Sequence, residues 1–121
     1  MKKTAIFGAS TNKSRYAYAA ASMLVSYGHP IIPLGIKEGS VLDIPIVDLR
    51  GKPPIEGLDT ITLYIGPRHQ PAWYQYIIGL KPKRVIFNPG SENPEFAKQL
   101  EEAGIEATEA CTLVLLRTGQ Y

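Results

Sequence analysis

The sequence predicts an α/β domain built on a mostly parallel sheet. Two observations predict it. Four short runs of apolar, β-branched or aromatic residues alternate with segments of helical periodicity, and each run ends in glycine or a Gly/Pro pair. Strand, helix, strand, helix is the pattern of βαβ units, whose parallel strands are covered by helices on both faces. Apolar residues without strict alternation are what such doubly buried strands look like.

The first run is Thr4-Ala5-Ile6-Phe7-Gly8. A helix follows from Ser14 to Tyr27, with Ala17, Ala20, Ala21 and Leu24 at i, i+3, i+4, i+7 and Gly28 placed to end it. The second run is Ile31-Ile32-Pro33-Leu34-Gly35. Pro33 lacks an N–H, which demotes the stretch or confines the proline to a strand's end. Residues Lys37 to Asp59 are less regular, with Ile44 to Leu49 as a short edge strand and Gly51-Lys52-Pro53-Pro54 as a loop. The third run is Ile61 to Pro67, followed by a helix from Pro71 to Ile78 that Gly79 stops. The fourth is Val85 to Gly90. After it, Asn93 reads as an N-cap, Pro94 as the first helical residue, and Phe96, Leu100 and Ala103 as an apolar stripe closed by Gly104. Ile105 to Ala107 is a further strand, and Leu113 to Leu116 is apolar without a clear period. The sum is a Rossmann-like, three-layer domain of five or six strands occupying residues 1–121.

Composition narrows the function classes. With 11 glycines and 10 prolines in 121 residues the chain is rich in turn formers, yet 45% hydrophobic and 20% charged residues are ordinary for a folded domain. This length supports one domain, and no internal repeat is present. Thirteen basic and 11 acidic residues give a net charge of +2, with no run of five like charges, so neither a nucleic-acid nor a membrane-surface binder is expected. The apolar stretch after Met1-Lys2-Lys3 stops at Gly8, too short for a signal peptide, and no apolar run approaches 18 residues. A single cysteine, Cys111, excludes an internal disulfide and a cysteine-based zinc cluster. A cytoplasmic location is expected.

Ligands of open α/β sheets bind beyond the carboxyl ends of the strands, where this sequence places Gly8, Gly35, Gly66 and Gly90. The loop Gly8-Ala9-Ser10-Thr11-Asn12-Lys13-Ser14-Arg15 follows the first strand and opens a helix, a context suited to phosphate. It departs from the G-x-G-x-x-G fingerprint, since Ser10 and Lys13 fill the second and third glycine positions. Their hydroxyl and ammonium groups suit a phosphate oxygen, although solvated capping residues share the pattern. NAD sites carry an acidic residue near the end of the second strand. Here Leu34-Gly35-Ile36 leads to Lys37, which suits a ribose bearing a phosphate, as in NADP or coenzyme A.

Gly8-Ala9-Ser10 with Asn12 and Arg15-Tyr16, the helix ending Tyr27-Gly28-His29, and Pro33 followed by Lys37 together resemble the small bacterial CoA-binding proteins. These carry the domain also found at the N-terminus of the succinyl-CoA synthetase alpha subunit. Leu58-Asp59, Gly66-Pro67, the segment Asn88 to Asn93 and a cysteine near the end agree with it, so the resemblance spans nearly the whole chain. It implies a Rossmann-like fold of strand order near 3-2-1-4-5 and coenzyme A, or an acyl-CoA, lying across the crevice. It implies phosphates at Gly8, Ala9, Ser10, Asn12 and Arg15, and adenosine beside Pro33 and Lys37. It implies the pantetheine arm near Ile65, Gly66, Pro67 and the Asn88-Pro89-Gly90 turn. Ligase activity is not implied, because the synthetase's phosphorylated histidine lies in a separate domain.

Few residues invite a catalytic reading. His29 follows the first helix on the rim away from the strand ends and reads as structural, its imidazole favouring the helix's negative end. His69 falls on the ligand side beside Arg68, without a nucleophile near it in sequence. Cys111 is either a small buried hydrophobe or a thiol near the end of the pantetheine. Trp73, Tyr74 and Tyr76 read as packing or interface residues. The expectation is a CoA-binding domain without chemistry of its own, able to form a homodimer. A small NADP-dependent reductase and a ligand-free interaction module are the alternatives.

Overall fold

The structure, a computed structural model, describes all 121 residues. In chain order the elements are β1 (Thr4–Phe7), α1 (Tyr16–Ser26), β2 (Ile31–Gly35), β3 (Ser40–Val41), β4 (Ile44–Pro45), β5 (Val47–Asp48), β6 (Thr60–Leu63), α2 (Tyr74–Leu80), β7 (Arg84–Phe87), α3 (Pro94–Glu102), β8 (Glu106–Glu109) and α4 (Thr112–Arg117). Six strands form one parallel sheet in the order β5-β2-β1-β6-β7-β8. Counting those six along the chain, the order is 3-2-1-4-5 with a sixth strand at the far edge. β3 and β4 make a separate antiparallel hairpin. The chain winds outward from β1 in one direction and from β6 in the other. Their connections therefore diverge and leave a crevice between them.

Both sheet faces are buried, as the apolar runs required. Along β1, Ala5 and Phe7 point into one cluster with Ile77 of α2 and Phe96 and Leu100 of α3. Ile6 points into the other, with Ala17, Ala21 and Leu24 of α1 and Leu116 of α4. The alanine spacing in α1 lets that helix lie close to the sheet. Beyond α1, His29 N–H reaches back to Leu24 O at 2.9 Å, and beyond α3, Ile105 N–H reaches Leu100 O at 2.9 Å. Both closures place a glycine, Gly28 or Gly104, where the sequence expected the helix to stop.

Several boundaries differ from expectation, each for a physical reason. Pro33 lies inside β2, not at its end. The carbonyls of Pro30 and Leu34 accept from Thr4 N–H of β1 and from Gly8 N–H just beyond it, so the intervening Pro33 nitrogen faces the opposite side. There β5 pairs only with Leu34 and Gly35, and no ladder bond is lost. Gly79 does not stop α2, which runs to Leu80 and ends at a left-handed Lys81 (φ 52°) before Pro82. The segment Ile44 to Leu49 is split, giving β4, the edge strand β5 and a 3₁₀ turn from Leu49. The first helix begins at Tyr16, two residues late, because Asn12 and Ser14 bond within the loop. Ala103 is exposed and adds nothing to its stripe, and Leu113 to Leu116 belongs to α4.

His29 stands at the amino edge of the sheet, as expected, but not as a cation. Its Nδ1 accepts the Lys2 N–H at 3.0 Å, and its ring lies 4.9 Å from that of Tyr121. Burial lowers its pKa, and the amino terminus, Lys2 and Arg84 lower it further against the opposing pull of Asp59. The unfolded chain therefore takes up the proton more readily. The contribution is complete above the ordinary histidine range and is lost as pH falls through it. Urea unfolding at pH 7 and pH 5 should show a falling midpoint, and His29→Asn, which keeps an acceptor, should flatten the decline. An unchanged slope in the variant would assign the effect to other groups.

Candidate functional site

A cleft of about 950 Å³ opens at the carboxyl ends of β1, β2, β6 and β7, near the upper size of small-molecule and cofactor sites. Backbone packing draws these strand ends together. Gly8 has φ +95°, and a Cβ there would stand 2.9 Å from the Tyr64 carbonyl oxygen; a Cβ on Gly35 would stand 2.9 Å from that of Ala9. Gly8 N–H and Ala9 N–H both donate to Leu34 O, at 2.9 and 3.0 Å. These two glycines are thus required by the strand ends themselves.

The first loop is shaped by its own side chains. Asn12 Oδ1 accepts from the N–H and the Oγ of Ser14, at 3.0 and 2.7 Å. Ser10 Oγ accepts the Asn12 N–H at 3.0 Å, which leaves its own proton free. Arg15 is the N-cap of α1 but gives the helix no side-chain hydrogen bond, and no acidic residue lies in the first turn. The amides of Ser10, Thr11, Tyr16 and Ala17 have no hydrogen-bond partner in the chain. Arg15 and Lys37 line the cleft, no Asp or Glu does, and the chain's two ion pairs involve neither of them. Free N–H groups, the positive end of a helix and two unpaired cations favour an anion here.

The far half of the cleft has no Asp, Glu, Lys or Arg and is built by the segments after β6 and β7, with His69 among its lining residues. Tyr64 forms a wall there. Burial pushes its phenol up to about 12, against hydrogen bonding to Thr62 and Thr112, so it stays neutral at physiological pH. Gly66 lines the cleft with an ordinary backbone (φ −60°, ψ 150°) and nothing within 4 Å of a notional Cβ. Neither conformation nor packing demands glycine at that position. The open cradle is the space a ligand backbone would use. Trp73 adds an apolar surface, with Lys52 Nζ 5.8 Å from its ring centroid.

Of the residues singled out by sequence, Gly8, Ala9, Ser10, Arg15, Gly35 and Lys37 line the cleft on one side, and Ile65, Gly66, His69, Pro89 and Gly90 on the other. The rest stand back from it. Asn12 builds the first loop without forming its wall, and Lys13 extends from the same loop into solvent. Pro33 is buried within β2, and Pro67 opens a 3₁₀ turn behind Gly66. Asn88 is buried beneath the turn that carries Pro89 and Gly90. Cys111 is half-buried at the N-cap of α4 and does not line the cleft. Tyr74 and Tyr76 pack as expected, whereas Trp73 both packs and lines the cleft. Sequence reading missed Tyr16, Ile36, Ile46, Leu49 and Tyr64 as lining residues. Ile46 and Leu49 reach it from the irregular crossover, where no period marks a buried face.

The sheet order, with an anion-suited loop at its switch point, defines a Rossmann-like α/β domain. Residues 2–117 match the model of the CoA-binding domain family, and the chain belongs to that family. It is similar over 100% of its length to 98% of an uncharacterized protein of known crystal structure, at 54% identity and a TM-score of 0.97. A Thermus thermophilus protein is 23% identical, with a TM-score of 0.83 over 99% of this chain and 90% of its own. A conserved hypothetical protein from Pyrococcus furiosus is 22% identical, with a TM-score of 0.81 over 94% of this chain and 98% of its own. These two share the fold. No curated protein matches the chain. No helix is long and apolar enough to cross a membrane.

Proposed function

We propose that this domain binds coenzyme A or an acyl-CoA across the cleft and performs no chemistry on it. The carrying observation is the polarity of the cleft: unpaired Arg15 and Lys37 with free amides at one end, neutral walls at the other, and no carboxylate. A ligand with several phosphates at one end and a neutral, flexible arm matches that division. The nucleotide end would lie over the first loop and the α1 N-terminus, with Lys37 toward the 3′-phosphate. The pantetheine arm would pass Gly66 and the Pro89-Gly90 turn. Membership of the CoA-binding domain family supports the same ligand. His69 lines the neutral half of the cleft, where it would contact the bound ligand.

Isothermal titration with CoA, 3′-dephospho-CoA, NADPH and NADH tests the proposal. CoA should bind tightest, and a tighter response to NADH would overturn it. Lys37 suits the ribose phosphate of NADP equally well, so preference for NADPH would establish that second reading. Lys37→Ala should weaken CoA about tenfold, the worth of one charge-assisted phosphate contact, and leave dephospho-CoA within about twofold. Equal loss for both ligands would remove Lys37 from the 3′-phosphate.

A further inference from the structure

The two segments that form the neutral half of the cleft have no strand pairing to hold them at a fixed distance. β6 ends at Leu63 and β7 at Phe87, and beyond them the chain runs as loops and 3₁₀ turns. One buried side chain joins them. Gln70, 1% exposed, donates from Nε2 to Ile65 O at 2.9 Å and to Ser91 O at 2.8 Å. Its Oε1 accepts from Asn93 Nδ2 at 3.0 Å. Asn93 has no freedom to turn over, because its Oδ1 caps α3 through Phe96 N–H at 3.1 Å and its Nδ2 also reaches the Tyr74 hydroxyl at 2.7 Å. Every polar atom of the Gln70 amide is thereby committed. Its backbone is fixed too, since it closes the 3₁₀ turn of Pro67–His69 and opens that of Pro71–Trp73.

Ile65 and Ser91 both line the cleft, whereas Gln70 does not. We infer that Gln70 is a positioning residue: by tying the Ile65 and Ser91 carbonyls together it sets the width of the channel between the β6 and β7 segments, and so the affinity for the arm of the ligand beyond its nucleotide. The inference rests on the CoA reading above for the identity of that arm. On that reading the nucleotide end would lie on β1, α1 and β2, to none of which the Gln70 side chain hydrogen-bonds.

The test compares Gln70→Met, which keeps the length of the side chain and removes its hydrogen bonds, with wild type. CoA and adenosine 3′,5′-bisphosphate, which lacks the arm, are titrated into each. CoA affinity should fall roughly tenfold, the worth of a hydrogen bond or two, while the bisphosphate stays within about twofold. A merely structural role would weaken both ligands together, and equal losses, or none for CoA, would overturn the inference. Asn93→Asp keeps the cap on α3 but removes the donor to Gln70, and should give the same selective loss to a smaller degree if Gln70→Met does not fold. Hydrogen exchange on the free protein separates this from the ligand's identity. Gln70→Met should lose amide protection across residues 64–70 and 88–93 alone, and uniform or absent loss would sink the inference whether or not CoA binds.

Discussion

Replacing Asn88 with alanine is expected to cost about 3 kcal/mol of stability. That would lower the melting temperature by roughly 10 °C in a domain of this size. The side chain is 1% exposed and makes three hydrogen bonds to two elements. Nδ2 donates to Thr62 Oγ1 at 2.7 Å and to Leu63 O at 2.9 Å, both in β6. Oδ1 accepts the Thr112 N–H at 2.9 Å, taking one of the amides that α4 leaves free at its start. Alanine abolishes all three and strands a buried carbonyl and a buried amide, each of which carries a desolvation cost of about 1–3 kcal/mol. Ser91→Ala removes only the Oγ bond to the Asn88 carbonyl (2.7 Å) and should cost about 1 kcal/mol. Thermal and urea unfolding measure both, and a loss below about 1 kcal/mol for Asn88→Ala would refute the clamp.

Asn88→Asp sharpens the same expectation. The introduced carboxyl keeps the acceptor for Thr112 N–H, but as an anion it would face the Leu63 carbonyl with no cation bonded to it. Burial would raise its pKa, so folding favours the protonated form, whose O–H can replace the lost donor. A folded-state pKa above the unfolded one gives stability that is present below the unfolded value and lost as pH rises through the folded one. The variant should therefore approach wild type near pH 4 and fall far below it at pH 7. A flat comparison across that range would show the site to be wet.

Much of this arrangement was legible in residue order. The doubly buried runs announced β1, β2, β6 and β7 because parallel strands between helices leave no polar face to interrupt them. Asn93-Pro94 announced α3, and the cap bond to Phe96 N–H is present. What escaped was set by contacts distant in sequence. Pro33 looks hostile to a central strand until the short β5 leaves its side of β2 unpaired. Gly79 looks like a helix stop, yet the strain is taken by Lys81 ahead of Pro82. Asn88 reads as a ligand-side turn residue and is instead the clamp beneath that turn. Gln70 sits among Pro67, Arg68, His69 and Pro71, where no apolar period marks a buried position. Only the approach of Ser91 and Asn93, about twenty residues on, buries it.

Arg15→Asp is expected to abolish CoA binding while making the protein more stable. Arg15 stands at the N-cap of an 11-residue helix, the position where a short acceptor side chain is worth most, and offers none. An aspartate there can accept a first-turn N–H and meets the positive end of the helix, together about 1 kcal/mol of stabilisation. The same change removes a cation from the cleft and sets a carboxylate among the free amides proposed to hold phosphate. Loss of one charge-assisted contact and gain of one repulsion should cost at least about 100-fold in affinity. Calorimetric titration and melting curves on one preparation measure the two effects together. A raised melting temperature with binding lost supports the assignment; binding retained within about tenfold removes Arg15 from the phosphate site; a lowered melting temperature refutes the capping account. Opposite signs for stability and affinity would distinguish a helix end used by a ligand from one that is merely uncapped, because in the second case only stability would change.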